Sequence, residues 1–452
     1  MSSATGTVAS KGPHRGGPTD PSHDENLRRG ILHTSVSRPV AGALVLTFLA
    51  ILYVVPIGQA IRDKVAGEDS VLPELFRREP TRENLRQFED ELQDASSLRA
   101  WVRPRLQVLL TGYGGYGNGK AVVGKHGWLF YAPGVASVGA PGFLNPAIIA
   151  ARQKDALDAG EPPLHADPRP AILEFARFLG TRGIRLVLFP VPDKASLQPL
   201  QLHGRQRDAD AAPARNPDAD RLKAALEGAG VVMFDPSPAL LHAGETPRFL
   251  VQDTHWTPAW MESVAGQLAA RLMAEGLVPR SSADAPRRFH AVATKVARQG
   301  DIADMLGLPE GQRLFPALEE VVHEVSDSAG ARFEPNEKAK VLLLGDSFTN
   351  IFSLEQMGWG ASAGLGPHLA LALNQDVDVI ARNDAGAHAT RQLLFNALAG
   401  GEDRLAGKTV VIWEFASREL VVGDFRPIDW ASLTVKGAPN PSAPPAGAKG
   451  AP

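Results

Sequence analysis

Two short stretches carry side chains whose types and spacing suit nucleophilic chemistry. One is Gly345-Asp346-Ser347-Phe348, which ends the apolar run Val341-Leu342-Leu343-Leu344. The other lies about ninety residues upstream and reads Gln252-Asp253-Thr254-His255-Trp256. A serine hydroxyl is a weak nucleophile at neutral pH and requires a base within hydrogen-bond reach. A histidine can be that base when a carboxylate on one ring nitrogen fixes the tautomer and stabilises the imidazolium that forms as the other nitrogen takes the serine proton. Asp253 and His255, two apart, face the same way in extended chain and meet in a tight turn. Each stretch also has a plain structural explanation. Asp346 and Ser347 would cap a helix, as would Asp253 or Thr254, leaving Trp256 in the core and His255 solvated. An oxygen and nitrogen metal shell of Asp253, His255, Asp301 and Asp304 is a further reading, but neither His-Glu-x-x-His nor paired-histidine spacing accompanies it.

The elements that position these residues follow from the apolar pattern. A strand buried on both faces of a parallel sheet is a continuous apolar run, which Val341 to Leu344 supplies, and Gly345 lets the chain turn at once. Ser347 is thereby expected at the carboxyl end of a strand and the start of a helix, where α/β sheets hold their ligands. Helical spacing over residues 171–182 precedes a strand over 184–192, with Asp193 and Lys194 at its carboxyl end. A helix reaching Glu227 precedes a strand over 231–235, and further strands are expected over 377–380 and 409–415. Alternating helices and strands predict a parallel sheet covered on both sides. The stretch 122–131 reads as a β-hairpin turning at Lys125-His126-Gly127, after a glycine-rich turn over 112–119. Residues 259–275 read as a helix following the Asp-Thr-His stretch.

The 452 residues are enough for one large or two medium folded units, and the formal net charge of −3 gives no argument for nucleic-acid binding. With no cysteine, disulfides, zinc–thiolate sites and cysteine nucleophiles are excluded together. Residues 1–38 are rich in Gly, Ser, Pro and His without periodicity and read as a disordered tail. Residues 39–60 contain no charge and have the length of a bilayer-spanning helix, flanked by Arg38 and Arg62. Lys11, Arg15, Arg28, Arg29 and Arg38 precede this span, and a long following domain translocates largely regardless of its charge, so the expected topology is a cytoplasmic tail, an uncleaved signal anchor and an exported carboxyl-terminal bulk. Residues 61–115 are expected to form an amphipathic helical stem, 116–435 the main domain and 436–452 a Pro/Ala/Gly-rich disordered tail.

Asp253-Thr254-His255-Trp256, then Gly300-Asp301-Ile302-Ala303-Asp304-Met305-Leu306, then Gly345-Asp346-Ser347-Phe348 resemble, in that order, the AlgJ/AlgX group of SGNH-hydrolase-like proteins. These proteins O-acetylate bacterial exopolysaccharides such as alginate. Gly127-Trp128-Leu129-Phe130-Tyr131, Val191-Pro192-Asp193-Lys194 and the stretch from Trp413 to Leu420 are similar to that group too. The resemblance implies an SGNH-hydrolase-like α/β fold in permuted order, with Asp-x-His before Ser. It implies Ser347 as nucleophile, His255 as general base and Asp253 as the carboxylate that orients it, with no cofactor and no metal. The backbone N–H of Ser347 would donate to the oxyanion, with Asn350 and Asn383 as candidate side-chain donors. Arg391 and Arg418 would bind a sugar carboxylate or hold structure, the second being assigned to structure.

The activity implied is acetyl transfer to exopolysaccharide hydroxyls through an acetyl-serine. The implied partners are a membrane-bound O-acyltransferase that supplies acetyl groups, a polysaccharide acceptor and the membrane itself, with no nucleic acid. The implied location is the bacterial inner membrane, single-pass, with the carboxyl-terminal domain in the periplasm. Because about thirty residues follow Leu420, the membrane-anchored AlgJ architecture fits better than the AlgX type, which has an added carbohydrate-binding module. Two rival functions share these residues: a membrane-anchored carbohydrate acetylesterase, and a non-catalytic polysaccharide-binding scaffold of a secretion complex.

Overall fold

The computed structural model describes residues 36–205, 213–236, 247–280, 282, 285–383 and 386–436. The expected disordered tails, apart from their last three and first residue respectively, lie outside the described residues. Contacts divide the chain into two compact units, Met1–Val102 and Arg103–Pro452.

In the first unit a helix of 29 residues, Arg38–Ala66, is long and apolar enough to cross a membrane, and no residue of its most apolar part is buried. At about 1.5 Å per residue it outspans a bilayer core of about 30 Å. Its middle, Ala50–Val54, widens into a π-turn. Pro56 explains this, because it lacks the N–H that would bond the Leu52 carbonyl and its ring crowds that same group. After the short helix Glu74–Arg77 comes helix Arg82–Ala95, capped by Thr81, whose hydroxyl accepts from Asn84 N at 3.1 Å. Gln59 of the long helix accepts from Ser97 N at 2.9 Å and Ser97 Oγ at 2.7 Å.

The first strands of the second unit are the hairpin β1 (Ala121–Val123) and β2 (Leu129–Tyr131), paired Ala121 to Tyr131. Its turn places His126 and Gly127 at φ 54° and 79°, consecutive left-handed residues of the kind that close tight hairpins. The helix before it, Ser97–Gly114, runs three residues into the expected glycine-rich turn, so the turn is confined to residues 115–119. β3 (Arg185–Val191), β4 (Val232–Met233), β7 (Val341–Gly345), β8 (Val377–Ala381) and β9 (Val410–Ala416) form a five-stranded sheet. Its order is β4-β3-β9-β7-β8, and every pairing is parallel. Both faces are covered. Val187, Phe189, Val191, Leu343 and Ile412 join a cluster with helices Pro258–Ala274 and Leu365–Leu373. Leu186, Leu188, Leu342, Leu344 and Trp413 join another with helices Pro168–Thr181 and His388–Ala399. Alternate residues of one strand thus enter opposite cores, which is why these strands read as unbroken apolar runs.

The sequence reading contains no counterpart to β5 (Phe289–Arg298) and β6 (Leu318–Asp327), a ten-residue antiparallel ribbon. Its main packing partners are helices Pro258–Ala274 and Leu365–Leu373. Most of β5 faces solvent, so it offers no continuous apolar run to detect. The Gly300–Leu306 stretch lies between its strands, with helix Asp301–Met305.

Candidate active site

β7, buried throughout, ends at Gly345. A Cβ there would lie 2.1 Å from Thr349 Oγ1 and 3.0 Å from Glu414 Oε2, so only glycine fits the turn. Asp346 caps the helix Ser347–Asn350, accepting from Phe348 N at 2.8 Å, and its other oxygen accepts from Ala416 N at 2.9 Å. Beneath the turn, Glu414 of β9 accepts from Asp346 N at 3.0 Å and Thr349 Oγ1 at 2.7 Å. Burial pushes the Glu414 carboxyl well above its ordinary range, and the Asp346 charge pushes it further. The capping role weighed for Asp346 is therefore real, and it leaves Ser347 partly buried at the end of a strand.

The Asp253–His255 turn is closed by Leu250 N donating to His255 O at 3.0 Å and by a bridge between Phe249 and Trp256. The helix after it is capped by Thr257, which accepts from Trp260 N at 3.4 Å, and not by Asp253 or Thr254. His255 is 4% exposed, so the solvated reading of it fails. Its Nδ1 lies 2.6 Å from Asp253 Oδ1, which also accepts from His255 N at 3.1 Å. Asp253 Oδ2 accepts from Trp359 Nε1 and from Asp301 N, both at 3.0 Å. Four donors thus hold one carboxylate. Burial alone would raise the Asp253 pKa, but the hydrogen bond and charge of His255 and the backbone donors outweigh it and hold the group below its ordinary 3.8. Burial would likewise lower His255, but Asp253 outweighs it and the imidazole is raised above 6.5.

His255 Nε2 is buried and has no hydrogen-bond partner, so Ser347 Oγ is not bonded to it. The ring of Phe348, next to Ser347, packs 4.8 Å from the imidazole. Catalytic hydrogen bonds of free enzymes are often loose and tighten when substrate binds.

Asp301 belongs to this cluster. Its Oδ1 accepts from Thr254 N at 2.7 Å and its Oδ2 lies 3.9 Å from His255 Nδ1. Desolvation and the Asp253 charge push it up to about 6, although 30% of its side chain remains exposed. One ligand atom each from Asp253, His255 and Asp301 fall within 4.8 Å of one another. Both Asp253 oxygens already accept two hydrogen bonds and His255 Nδ1 is engaged with one of them, so this donor set is committed to hydrogen bonding. Asp304 lies outside the cluster.

Three supporting residues have no role in the sequence reading. Lys194 is buried, and its Nζ donates to the carbonyls of Leu129 (2.6 Å), Leu250 (2.6 Å), Val251 (3.1 Å) and Asp253 (2.9 Å). It also lies 5.1 Å from the ring centres of Trp128 and Phe130. Burial pulls its pKa down to about 7 against the Asp253 and Asp301 charges, while the carbonyl cage favours the ammonium. The one sequence signal was a lysine directly after a buried strand. Trp359, 106 residues from Asp253, and Glu414, inside an apolar strand, had none that names a partner.

Asn350 Nδ2 donates to Asn383 Oδ1 at 2.9 Å, and Asn383 Nδ2 to Met357 Sδ at 3.3 Å, leaving each amide one free hydrogen for another acceptor. Arg391 is fully buried over Trp413 at 4.6 Å, with Nη2 donating to Arg426 O at 3.0 Å, so it is built into the core. Arg418 lies 5.1 Å over Tyr131 and 6.0 Å from Phe348, and lines a small pocket with Tyr131, Thr254 and Phe348.

A parallel sheet covered by helices on both faces, with Asp-x-His and a strand-end serine on separate segments, defines an SGNH-hydrolase-like α/β protein. The family model for the SGNH hydrolase-like domain of the acetyltransferase AlgX matches residues 121–417, and the chain belongs to this AlgJ/AlgX-like acetyltransferase family. A probable alginate O-acetylase AlgJ of Pseudomonas aeruginosa is 30% identical over 157 residues, 34% of this chain and 38% of that one. The chain thus spans about two fifths of the length of that curated relative. Among solved structures, the O-acetyltransferase domain of Pseudomonas putida AlgJ aligns at 21% identity and a TM-score of 0.49, covering 70% of this chain and 99% of that one. Pseudomonas aeruginosa AlgX aligns at 17% identity and a TM-score of 0.42, covering 67% of each chain.

Proposed function

We propose that the chain is a membrane-anchored O-acetyltransferase that acetylates exopolysaccharide hydroxyls on the periplasmic face of a bacterial inner membrane. The observation that carries this reading is the buried Asp253–His255 pair, with Nδ1 bonded and Nε2 without a partner, beside the segment that bears Ser347. Ser347 Oγ attacks the carbonyl carbon of a donor acetyl group while its proton passes to His255 Nε2. The bond from that carbon to the donor's leaving oxygen breaks, His255 returns the proton to that oxygen, and acetyl-serine remains. A sugar hydroxyl then attacks the acetyl carbon, His255 takes its proton, and Ser347 leaves and is reprotonated. Asp253 holds the imidazole tautomer and stabilises its charged form, and the backbone N–H of Ser347 receives the oxyanion. Residues 116–435 form the catalytic domain in this reading, and the anchor keeps it beside a membrane-bound O-acyltransferase that supplies acetyl groups, raising their effective concentration.

The test is acetylation of the purified chain by an activated acetyl ester, followed by intact mass and product release in the parent, Ser347→Ala and His255→Ala. One acetyl gained by the parent and by neither folded variant supports the assignment. Equal behaviour of all three would overturn it in favour of a binding scaffold. If added oligosaccharide draws no acetyl from water, the activity is hydrolysis.

A further inference from the structure

Helix Ser97–Gly114 has its polarity inverted between Arg103 and its end. The buried positions there are polar. Gln107 and Thr111 are 8% and 6% exposed, and they bond to each other at 2.9 Å and to the carbonyl of Tyr116 at 3.3 and 2.8 Å. Leu106, Leu109, Leu110 and Tyr113 are instead 49%, 56%, 41% and 90% exposed. Past the helix, Gly115 at φ 65° and the bond from Tyr116 N to Leu110 O, 3.0 Å, turn Tyr116 outward as well, 66% exposed. Leu314 extends the patch, since its side chain lies 3.3 Å from where a Cβ of Gly112 would stand. A helix facing water presents its polar side, so this exposed side is built for an apolar cover.

Charge and composition indicate what that cover is. From Ala95 to Lys120 the chain has no Asp or Glu, although its overall charge is −3, and Arg103, Arg105 and Lys120 beside the patch are exposed. Leucines flanked by tyrosines and basic residues have the composition of a helix lying in the bilayer interface, with its apolar side about 5–10 Å deep and its cations at anionic headgroups. The patch also comes, forty residues on in the same chain, after the apolar helix that ends at Ala66. We infer that the face formed by Leu106, Leu109, Leu110, Tyr113, Tyr116 and Leu314 is a second membrane contact, seated in the headgroup region of an anionic bilayer. The inference rests on the anchor of the proposed function. It would fix the domain's height and orientation over the membrane, where the anchor alone fixes only its distance.

The chain has no cysteine, so Leu110→Cys and, as an aqueous reference on helix Ala219–Gly228, Ala225→Cys each give a single spin-label site. The full chain is reconstituted in phosphatidylcholine bilayers with or without phosphatidylglycerol, and collision of each label with oxygen and with a water-soluble nickel chelate is measured. The expected result is an oxygen-to-nickel ratio at position 110 at least about threefold that at position 225 when phosphatidylglycerol is present. Arg103→Glu with Lys120→Glu should bring the ratio down toward the reference. An aqueous ratio at position 110 in bilayer-inserted protein would overturn the inference and leave the anchor standing. So would a label shielded from both reagents, which would mean that protein covers the face. Failure of the full chain to float with the bilayers would remove the anchor and this inference together.

Discussion

The two halves of the site are held in opposite ways. The Asp253–His255 turn is buried and tied down from a distance, by Trp359, by the backbone of Asp301 and by a lysine after β3. In the Ser347 turn Asp346 and Ser347 are only partly buried, and the turn is held mainly from below, by Glu414 of the neighbouring strand. A base that must keep one tautomer and one orientation gains from rigid, dry surroundings, where each charge interaction is stronger. In the proposed reaction the nucleophile has to stay reachable for an acetyl donor and a polymeric acceptor, so burial of the base and partial exposure of the serine would be complementary demands of that one reaction.

The contrast can be broken hardest at the serine. Ser347→Ala should lower acetyl release from an activated ester about 10⁴-fold or more while circular dichroism is unchanged, because it removes one hydroxyl from a partly exposed position and leaves the backbone bonds of the turn in place. Asp253→Asn should cost about 10²–10⁴-fold in the same assay, since an amide no longer fixes the tautomer of His255. Lys194→Met attacks the base side through its support. It leaves several buried carbonyls without a donor, and at about 1 kcal/mol or more each the loss is on the order of 3–5 kcal/mol, read by chemical denaturation. Ser347→Ala should show almost none of that loss.

The pH dependence separates the halves further. The proposed transfer requires neutral His255, whose pKa is raised, so the acid limb of the rate should lie above pH 6.5 and move down in Asp253→Asn. In stability the signs run oppositely for the two partners. The depressed Asp253 contributes above pH 3.8 and loses that contribution as pH falls through its folded value. The raised His255 contributes below pH 6.5 and loses its share as pH rises through its own. The melting-temperature gap between parent and Asp253→Asn should therefore be widest between these limits and narrow toward alkaline pH. The smallest effect is expected at Glu414→Gln, which keeps the acceptor for Asp346 N and Thr349 Oγ1; a change under about 1 kcal/mol and an unaltered acid limb would place this residue in support of the turn.

Much of the sheet was legible because its strands are buried on both faces. The runs at 341–345 and 410–416 admit hardly any other reading, and the hairpin turn announces itself through His126 and Gly127. The β5–β6 ribbon was not legible, since one side of it faces water and its buried contacts come from helices far away in sequence. Within the site, the Asp-x-His pair could be read because its two members are local. Lys194 and Trp359 could not, since they reach Asp253 only after separate segments have packed together, and Asp301 stands with the pair in the sequence reading only as a metal ligand and not as a hydrogen-bond partner.

The sequence by itself determined the α/β alternation, the apolar helix, the absence of thiol chemistry and which side chains were available as serine, imidazole and carboxylate, because each of these depends on residue type and short-range periodicity. Only the tertiary structure decided that His255 is buried and bonded to Asp253, that its other nitrogen is without a partner, and that four carbonyls close around Lys194. Burial and desolvation belong to the packed molecule and to no local stretch of it, and they set the pKa values on which the proposed chemistry depends.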